Sequence, residues 1–374
     1  MLVLVLNCGS SSVKLHVVDT ATAESAARAS ADRIEAAPGG KGGYGEAIRR
    51  LLGELPPGLT PEAVGHRVVH GGETYTTPQR VDDEVLAGLE RQSVLAPLHN
   101  PPNLAGIRIA RELFPGLPHV AAFDTAFHAT IPEHAYRYAI PERFYQEHGV
   151  RRYGFHGLSH RYLSEQAAAM LGRADLRLVT LHLGNGCSAA AVRAGQCEDT
   201  SMGFTPLEGL VMGTRSGDLD PAAPLFIQRV EGMDAAEVDR LLNRECGLKA
   251  LSGESADMRD IEAGATAGNP RARLAFDVFC HHVRKYVGAY AAVLGGLDAV
   301  VFTAGIGENS AGVRASVCRG LGFLGIRLDA ALNGKKARGP RDIAAADAPA
   351  RVLVIPTYEE LVIARDTEAT LRRA

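Results

Sequence analysis

Three small-residue turns of the sequence have the composition of phosphate-binding loops. The first is Asn7–Ser12, followed by Lys14; the second is Gly184–Ser188, and the third is Gly305–Asn309. Small residues let the backbone approach an anion closely, and the N–H groups of such a turn can wrap around it. A structural turn is the commoner explanation for any one of them, but three in one chain indicate phosphate binding.

Two further segments carry cationic side chains in unusual surroundings. In Gly65–Gly72, strand alternation places Arg67 and Val69 on one face, and a guanidinium beside an apolar wall suits a small molecule with one charged and one apolar end. Thr200–Pro221 holds four glycines around Arg215. This glycine density is too high for a helix or a strand and predicts a long ordered loop of functional importance.

Several well-known motifs are missing or lack their context. No P-loop, G-x-S-x-G elbow or H-E-x-x-H zinc pair is present. Gly40–Gly45 matches G-x-G-x-x-G but follows no strand, so we interpret it as a flexible loop. His156 and His160 are four residues apart, yet no third metal ligand has a recognisable spacing. For His160 we favour a core or surface histidine.

Strand and helix patterns alternate along the chain and predict an α/β protein. A strand, a small-residue turn and a second strand occur twice, with Asn7 and His182 at matching places. Chance explains such hairpins, since glycine turns are common, but duplication of one domain explains them better. The third turn, Gly305–Asn309, is predicted to connect strand Ala299–Thr303 to a helix, the arrangement that places a nucleotide at a helix N-terminus.

Composition restricts the class of protein. The 374 residues are 46% hydrophobic and 22% charged with a net charge of −3, which excludes disorder and gives no reason to expect nucleic acid or a membrane surface as partner. The length indicates two domains. The six cysteines form no C-x-x-C pair, and no apolar stretch is long enough to span a membrane. We therefore expect a soluble, cytoplasmic protein.

Taken together, the motifs resemble the acetate kinase family, within the superfamily of actin-like sugar kinases and heat-shock ATPases. The resemblance covers nearly the whole chain, and its motifs follow the family's order. They are Leu6–Lys14, Gly65–Gly72, Phe123–His128, Tyr153–Gly157, His182–Gly186, Asp199–Pro221, Gly305–Asn309 and Glu359–Leu361. The implied fold is two actin-like (ribonuclease H-like) α/β domains from an internal duplication, with a central active-site cleft. The implied domains are residues 1–126 plus 361–374 on the acyl-substrate side, and residues 127–360 on the nucleotide side.

The resemblance also implies roles for individual residues. Arg67 and Arg215 would grip the carboxylate and the transferring phosphoryl group, His156 would donate to the phosphoryl oxygens, and Asp124 would join them as a catalytic residue. The implied metal ligands are Asn7, Asp124 and Glu359; the first phosphate turn is Asn7, Ser10 and Ser12; and the apolar acyl pocket is Val69, Leu98, Phe155 and Pro206. The implied nucleotide-binding residues are Lys14, His182, Leu183, Gly184, Asn185, Gly186, Asp257, Met258, Arg259, Gly305, Ile306, Gly307, Glu308 and Asn309.

The activity implied is reversible transfer of the ATP γ-phosphoryl group to acetate, with Mg²⁺ or alternatively Mn²⁺, by a homodimer. Two other functions remain open: a propionate or butyrate kinase, and a non-catalytic, ATP-switched actin-like protein. Direct displacement competes with a route through a phosphorylated Glu359. The chain departs from the family at Tyr358, where Asn is common, which leaves open whether Glu359 or Glu360 faces the metal.

Overall fold

The computed structural model describes residues 1–9, 12–32, 34 and 43–373. These residues form two compact units, Met1–Ala129 with Tyr358–Ala374, and Thr130–Thr357. Below they are called unit 1 and unit 2. No helix among the described residues is both long and apolar enough to cross a membrane.

Unit 1 is a six-stranded sheet with helices packed against it. Its strands are β1 (Leu2–Cys8), β2 (Ser12–Asp19), β3 (Glu24–Asp32), β4 (Ala63–Val68), β5 (Gln79–Arg80) and β6 (His119–Phe123). Its helices are α1 (Tyr44–Gly53), α2 (Asp83–Gln92), α3 (Asn100–Leu113) and the C-terminal helix α15 (Glu359–Arg373). Apolar side chains of β1, β2 and β4 pack against α1 and α3, and most of them are fully buried.

Unit 2 contains a second six-stranded sheet and more helices. Its strands are β7 (Arg177–Leu183), β8 (Cys187–Arg193), β9 (Gln196–Thr200), β10 (Ala299–Thr303), β11 (Arg341–Asp342) and β12 (Arg351–Val354). Its helices are α4 (Glu133–Tyr136), α5 (Arg143–His148), α6 (Gly157–Leu171), α7 (Ala222–Glu231), α8 (Ala235–Arg244), α9 (Gly247–Ser252), α10 (Met258–Thr266), α11 (Pro270–Val293), α12 (Ala304–Asn309), α13 (Ala311–Cys318) and α14 (Ala330–Gly334).

The two sheets have the same strand order. It is β3-β2-β1-β4-β6-β5 in unit 1 and β9-β8-β7-β10-β12-β11 in unit 2. In each sheet the three strands that come first along the chain form an antiparallel meander, and the first of them is parallel to the strand that comes fourth along the chain. A short edge strand, β5 or β11, is antiparallel to its neighbour. This shared topology supports the predicted duplication and confirms the α/β class.

Most element boundaries follow local sequence signals. Pro101 and Pro102 lie in the first turn of α3, where the missing N–H of proline costs nothing, so the helix can begin at Asn100. Helix α8 begins with a capping box formed by Asp234 and Glu237. Residues between Thr200 and Ala222 form the predicted long loop. Of the predicted loop Gly40–Gly45, residues 40–42 lie outside the described residues, and Gly45 belongs to α1.

One predicted turn is wrong. Gly305–Asn309 is not a turn leading into a helix but is itself helical, as α12, directly after β10. Glu308 explains this, because its carboxylate accepts hydrogen bonds from the backbone N–H of Ala304 at 2.9 Å and from the Thr303 hydroxyl at 3.3 Å. The side chain thereby satisfies a donor at the start of its own short helix.

Candidate active site

Arg67 is the centre of a polar cluster at the carboxyl ends of β1, β4 and β6. Its Nε and Nη2 atoms donate to the two carboxylate oxygens of Asp124, at 2.9 and 2.6 Å, and its Nη1 donates to Asn7 Oδ1 at 3.3 Å. Asp124 is 1% exposed. A bidentate pair of this kind fixes the plane of the guanidinium and leaves a lone pair on each carboxylate oxygen.

Glu359 lies at the same cluster, at the first residue of α15. Its Oε2 is 4.0 Å from Arg67 Nε, whereas Glu360 Oε1 lies 3.6 Å from His16 Nε2. Burial raises the pKa of Glu359 to about 7, since the repulsion from the Asp124 carboxylate acts in the same direction and the attraction of Arg67 offsets these effects only in part. Between the two glutamates, the structure therefore places Glu359 beside Asp124 and directs Glu360 toward His16.

Two buried asparagines at the start of α3 hold this region and were missed in the sequence. Asn103 accepts from the N–H of Val69 at 3.0 Å and donates to the carbonyl of Cys8 at 2.6 Å. Asn100 accepts from the N–H of His70 and donates to its carbonyl. The signal was the unusual pair of asparagines in His99–Asn103, at the spacing of neighbours on one helix face.

The first phosphate turn is only partly described. The Asn7 side chain contacts Arg67, as described above. Ser12 is the first residue of β2, and its carbonyl accepts a hydrogen bond from the N–H of Gly9 at 2.8 Å. The hydroxyl of Tyr44 donates to the carbonyl of Gly9. Lys14 is exposed on β2. Ser10 lies outside the described residues.

In unit 2, a set of hydroxyl groups orients two stacked histidines. His156 adopts a left-handed backbone conformation (φ 56°) just before α6, and its Nδ1 is hydrogen-bonded to Ser188 Oγ at 2.9 Å. Its ring stacks on His182 with centroids 4.3 Å apart, and His182 Nδ1 is hydrogen-bonded to Ser159 Oγ. The two hydroxyl groups therefore fix the orientation of both rings through their Nδ1 atoms.

His160 is the core histidine that the sequence favoured. Its side chain is fully buried and bridges the hydroxyl groups of Thr180 and Ser188, at 2.7 Å each. Since Ser188 also bonds to His156, the bridge helps to fix the orientation of the His156 ring.

Arg215 approaches His156 at the second phosphate turn. A methyl group added to Gly186 would lie 3.1 Å from Arg215 Nη2 and 3.4 Å from His156 Nε2, so both side chains converge on this glycine. Arg215 Nη1 donates to the carbonyl of Pro206 at 2.7 Å, and among the described residues no carboxylate pairs with it. Burial lowers its pKa. A desolvated guanidinium whose counter-charge is missing is suited to binding an anion.

A pocket of about 780 Å³ begins at this turn, a volume within the range of small-molecule sites. It brings together eight of the predicted nucleotide residues, Gly184, Asn185, Asp257, Met258, Arg259, Gly305, Ile306 and Asn309, with Ala256, Glu262 and Ser310, which the sequence missed. Asp257 caps α10 and is held by the Arg259 guanidinium, whose hydrogen bonds lower the pKa of Asp257 to about 2.

The other predicted nucleotide residues do not line this pocket. His182, Leu183 and Gly186 belong to the adjoining strand and turn, and Gly307 and Glu308 lie in α12. Lys14 belongs to unit 1.

The predicted acyl-pocket residues are divided between the units. Val69, which is buried, and Leu98, which is 41% exposed, belong to unit 1. Phe155, which is buried, and Pro206 belong to unit 2. Strand β4 ends at Val68, so Val69 lies one residue beyond the strand on which its alternation with Arg67 was predicted, and its N–H is fixed by Asn103.

Within the described part of the chain, no group of three His, Cys, Asp or Glu side chains is arranged to hold a metal. The six cysteines form no disulfide bond, and burial raises the pKa of Cys8 and of Cys187 to about 12. Both thiols are therefore protonated at neutral pH, as expected of packing groups in the phosphate turns.

Comparison with known proteins identifies one family over most of the chain. Residues 58–365 match the model of the acetokinase family. The acetate kinase of Desulfitobacterium hafniense is 50% identical over 98% of both chains. Among solved structures, the acetate kinase of Porphyromonas gingivalis has a TM-score of 0.92 at 41% identity, covering 99% of both chains. A propionate kinase from Francisella tularensis has a TM-score of 0.92 at 39% identity, over 98% of this chain and 99% of that one. The chain belongs to the acetokinase family.

Proposed function

We propose that this enzyme is an acetate kinase, which transfers the γ-phosphoryl group of ATP reversibly to acetate, giving acetyl phosphate and ADP. The observation that carries the proposal is the pocket of unit 2, which has nucleotide dimensions and ends at a phosphate turn where Arg215 and His156 converge. The acetate kinases to which the chain is similar over its full length support the choice of acetate.

The chemistry follows from charge. Acetate is ionised at neutral pH, as carboxyl groups of ordinary pKa are, so its oxygen attacks phosphorus without a general base. The obstacle is repulsion between two anions and the charge that spreads over the phosphoryl oxygens in the transition state. We assign the phosphoryl oxygens to Arg215 and His156. The acetate carboxylate is assigned to Arg67, with Val69, Leu98, Phe155 and Pro206 at its methyl group.

We further propose that Asp124 and Glu359, with Asn7, hold Mg²⁺, or alternatively Mn²⁺. Two carboxylates and an amide oxygen around one guanidinium fit this ion, which takes one or two protein carboxylates and fills its shell with water and phosphate oxygens. The ion, when bound, neutralises charge on the phosphates. Ser10, Ser12 and Lys14 are assigned to the same phosphates. Unit 1 is assigned to the side of the enzyme that binds the acyl substrate.

The nucleotide side is assigned to unit 2. Gly184, Asn185 and Gly186, together with His182 and Leu183, would face the phosphates. Asp257, Met258, Arg259 and the helix α12, which contains Gly305, Ile306, Gly307, Glu308 and Asn309, would contact the nucleoside. The pocket volume is larger than pyrophosphate alone requires, which supports a nucleotide as phosphoryl donor.

The deciding assay is formation of acyl hydroxamate from hydroxylamine with formate, acetate, propionate or butyrate, each with ATP and with pyrophosphate. We expect acetate with ATP to give the highest kcat/KM, with propionate a poorer substrate, since one methylene is worth only about 1–3 kcal/mol in such a pocket. A preference for propionate would instead support the second candidate, which the Francisella structure favours. No hydroxamate with any acid would indicate a non-catalytic, ATP-switched protein.

The stereochemistry at a chiral γ-phosphorus tests the route. Direct displacement, which we propose, inverts the configuration, whereas a phosphorylated Glu359 would give net retention through two displacements.

We also propose that the enzyme is a cytoplasmic homodimer. Helix α7 supports a protein interface, because it buries none of its own residues and leaves Leu225, Phe226 and Val230 each more than half exposed. Light scattering should give a particle mass twice that of the chain, and Phe226→Glu should reduce this mass to that of a single chain. Cysteines that form no disulfide bond fit the reducing cytoplasm, where ATP is available.

A further inference from the structure

Three side chains of unit 2 form a polar clamp on the loop that leads to Arg215. They are Tyr138, Arg152 and Glu208. Arg152 Nη2 donates to Glu208 Oε1 and the Tyr138 hydroxyl donates to Glu208 Oε2, at 2.5 Å each. The two oxygens of one carboxylate are thus hydrogen-bonded to side chains from two separate segments of the chain.

The clamp also holds the backbone at the start of the loop. Arg152 Nη1 donates to the carbonyls of Thr200, Ser201 and Met202, at 3.0, 3.3 and 3.1 Å. The Tyr138 hydroxyl accepts from the N–H of Phe204 at 2.9 Å. One guanidinium and one phenol therefore satisfy four backbone groups that no helix or strand could satisfy in this loop.

Gly203 shows how closely the clamp packs. A methyl group on its Cα would lie 1.7 Å from Glu208 Oε2 and 2.2 Å from the Tyr138 hydroxyl. Its carbonyl accepts from the N–H groups of Tyr153 and Gly154. A side chain here would displace the Glu208 carboxylate or the Tyr138 hydroxyl, so glycine allows the clamp to pack directly against the loop backbone.

The loop segment enclosed by these contacts contains Pro206, whose carbonyl accepts the 2.7 Å hydrogen bond from Arg215 Nη1. Among the described residues this is the hydrogen bond that orients the guanidinium, because no carboxylate pairs with it. Pro206 lies between Phe204 and Glu208, and the clamp is hydrogen-bonded to both of these residues.

We propose that Tyr138, Arg152 and Glu208 are positioning residues for phosphoryl transfer, which set the Arg215 guanidinium through the carbonyl of Pro206. This inference rests on the proposed function, in which Arg215 faces the transferring phosphoryl group. A misplacement of the guanidinium weakens a contact made in the transition state and lowers kcat, while the nucleotide pocket keeps its own residues.

The test compares steady-state kinetics of the full-length enzyme with Glu208→Gln and Tyr138→Phe, two changes that keep the side-chain shape. We expect each to lower kcat about tenfold, the rate equivalent of one hydrogen bond, with the KM for ATP changed less than about twofold. The matched control is Glu198→Gln, because Glu198 also pairs with an arginine of unit 2 and its side chain is similarly exposed. It should leave kcat unchanged.

A double-mutant cycle separates positioning from a general loss of structure. In an Arg215→Lys background, Glu208→Gln should cost less than about twofold, because the group it positions is already altered. Fold changes that multiply, or a Glu208→Gln enzyme that behaves like Glu198→Gln, would overturn the inference. If Glu208→Gln fails to fold by circular dichroism, the same cycle with Tyr138→Phe decides. A wild-type enzyme without hydroxamate activity would overturn the proposed function, and this inference with it.

Discussion

Arg67 and Arg215 have the same side chain in opposite electrostatic surroundings. Arg67 is paired with a carboxylate that is 1% exposed, and Asp124 and Glu359 together raise its pKa above the ordinary value despite burial. Arg215 has a single carbonyl partner, and burial lowers its pKa. Removing the Arg67 side chain leaves the buried charge of Asp124 without its partner, whereas removing the Arg215 side chain removes a buried positive charge that has no counter-charge.

The two alanine variants should therefore differ in stability although both lose turnover. Arg67→Ala leaves Asp124 unpaired and should lower the free energy of unfolding by about 3 kcal/mol, toward the lower end for a broken buried ion pair because Arg67 is 19% exposed. Arg215→Ala loses one hydrogen bond and should change it by about 1 kcal/mol or less. Urea unfolding followed by circular dichroism measures both. Equal losses would contradict the contrast.

Three histidines of unit 1 should make its stability depend on pH. Burial lowers the pKa of His66, of His119 and of His70, the last to about 3. Each is neutral when folded and takes up a proton when unfolded below pH about 6.5. Their contribution is complete above that pH and is lost as the pH falls toward the folded pKa values. Glu359, with its raised pKa, acts with the opposite sign between about pH 4.5 and 7.

A variant isolates the histidine contribution from that of Glu359. Between pH 6.5 and 5, the free energy of unfolding of His66→Asn should fall less steeply than that of the wild type, by about 1.4 kcal/mol per pH unit for one proton. Urea titrations at several pH values, followed by circular dichroism because the chain has no tryptophan, give the two slopes. Identical slopes would mean that His66 titrates normally in the folded protein.

At the scale of elements, two glycines of the active-site turns should respond differently to alanine. In Gly186→Ala the new methyl meets the ends of the Arg215 and His156 side chains, at 3.1 and 3.4 Å. We expect kcat to fall while the thermal midpoint hardly changes. In Gly209→Ala it meets the carbonyl of Ser201 at 2.5 Å with φ at 108°, so stability should fall by several kcal/mol.

Gly288→Ala is the control for both changes. Gly288 lies inside α11 with nothing within 4 Å of an added methyl, so alanine should raise stability by about 0.5–1 kcal/mol with kcat unchanged. A loss of stability in Gly186→Ala as large as that in Gly209→Ala would show that Gly186 serves the fold and not the site.

The sequence predicted those elements whose pattern is strong on its own. Strand β10 has the predicted bounds, Ala299–Thr303, since it is a short and mostly apolar run. Strand β3 was missed, because its residues are alanine, serine and charged groups that become a strand only by pairing with β2. Helix α12 was mistaken for a turn, since two glycines hid the capping contact of Glu308.

The same limit applies to the site. Residue type and family resemblance identified Arg67, Asp124 and the glycine turns, because their chemistry is visible in the letters. The partners Asn103, Ser159 and Ser188 are common residues, whose importance comes from a hydrogen bond to a segment distant in sequence. No local pattern contains that information.

At the scale of the whole molecule, the shared strand order explains why each unit carries its own small-residue turn. In each sheet the first strand ends in a small-residue turn, after Asn7 in unit 1 and after His182 in unit 2. Among the residues that the structure describes, the turn of unit 2 contributes to the lining of a pocket of about 780 Å³. In unit 1 the corresponding strand ends carry Arg67 and Asp124, so the two copies of one fold present different chemistry.

This division predicts that nucleotide binding can be abolished from unit 2 alone. Gly305 lines the pocket, and a Cβ added there meets nothing within 4 Å, so Gly305→Trp should fold and fill the pocket. At an ADP concentration of 100 times Kd, the wild type should gain about 2.7 kcal/mol of stability, and Gly305→Trp none. Gly334→Trp, equally unobstructed but outside the pocket, and Arg67→Ala in unit 1 should keep the gain with metal-free ADP. Thermal melts with and without ADP measure the shift. A full shift in Gly305→Trp would place the nucleotide elsewhere, and a lost shift in Arg67→Ala would show that Arg67 takes part in holding it.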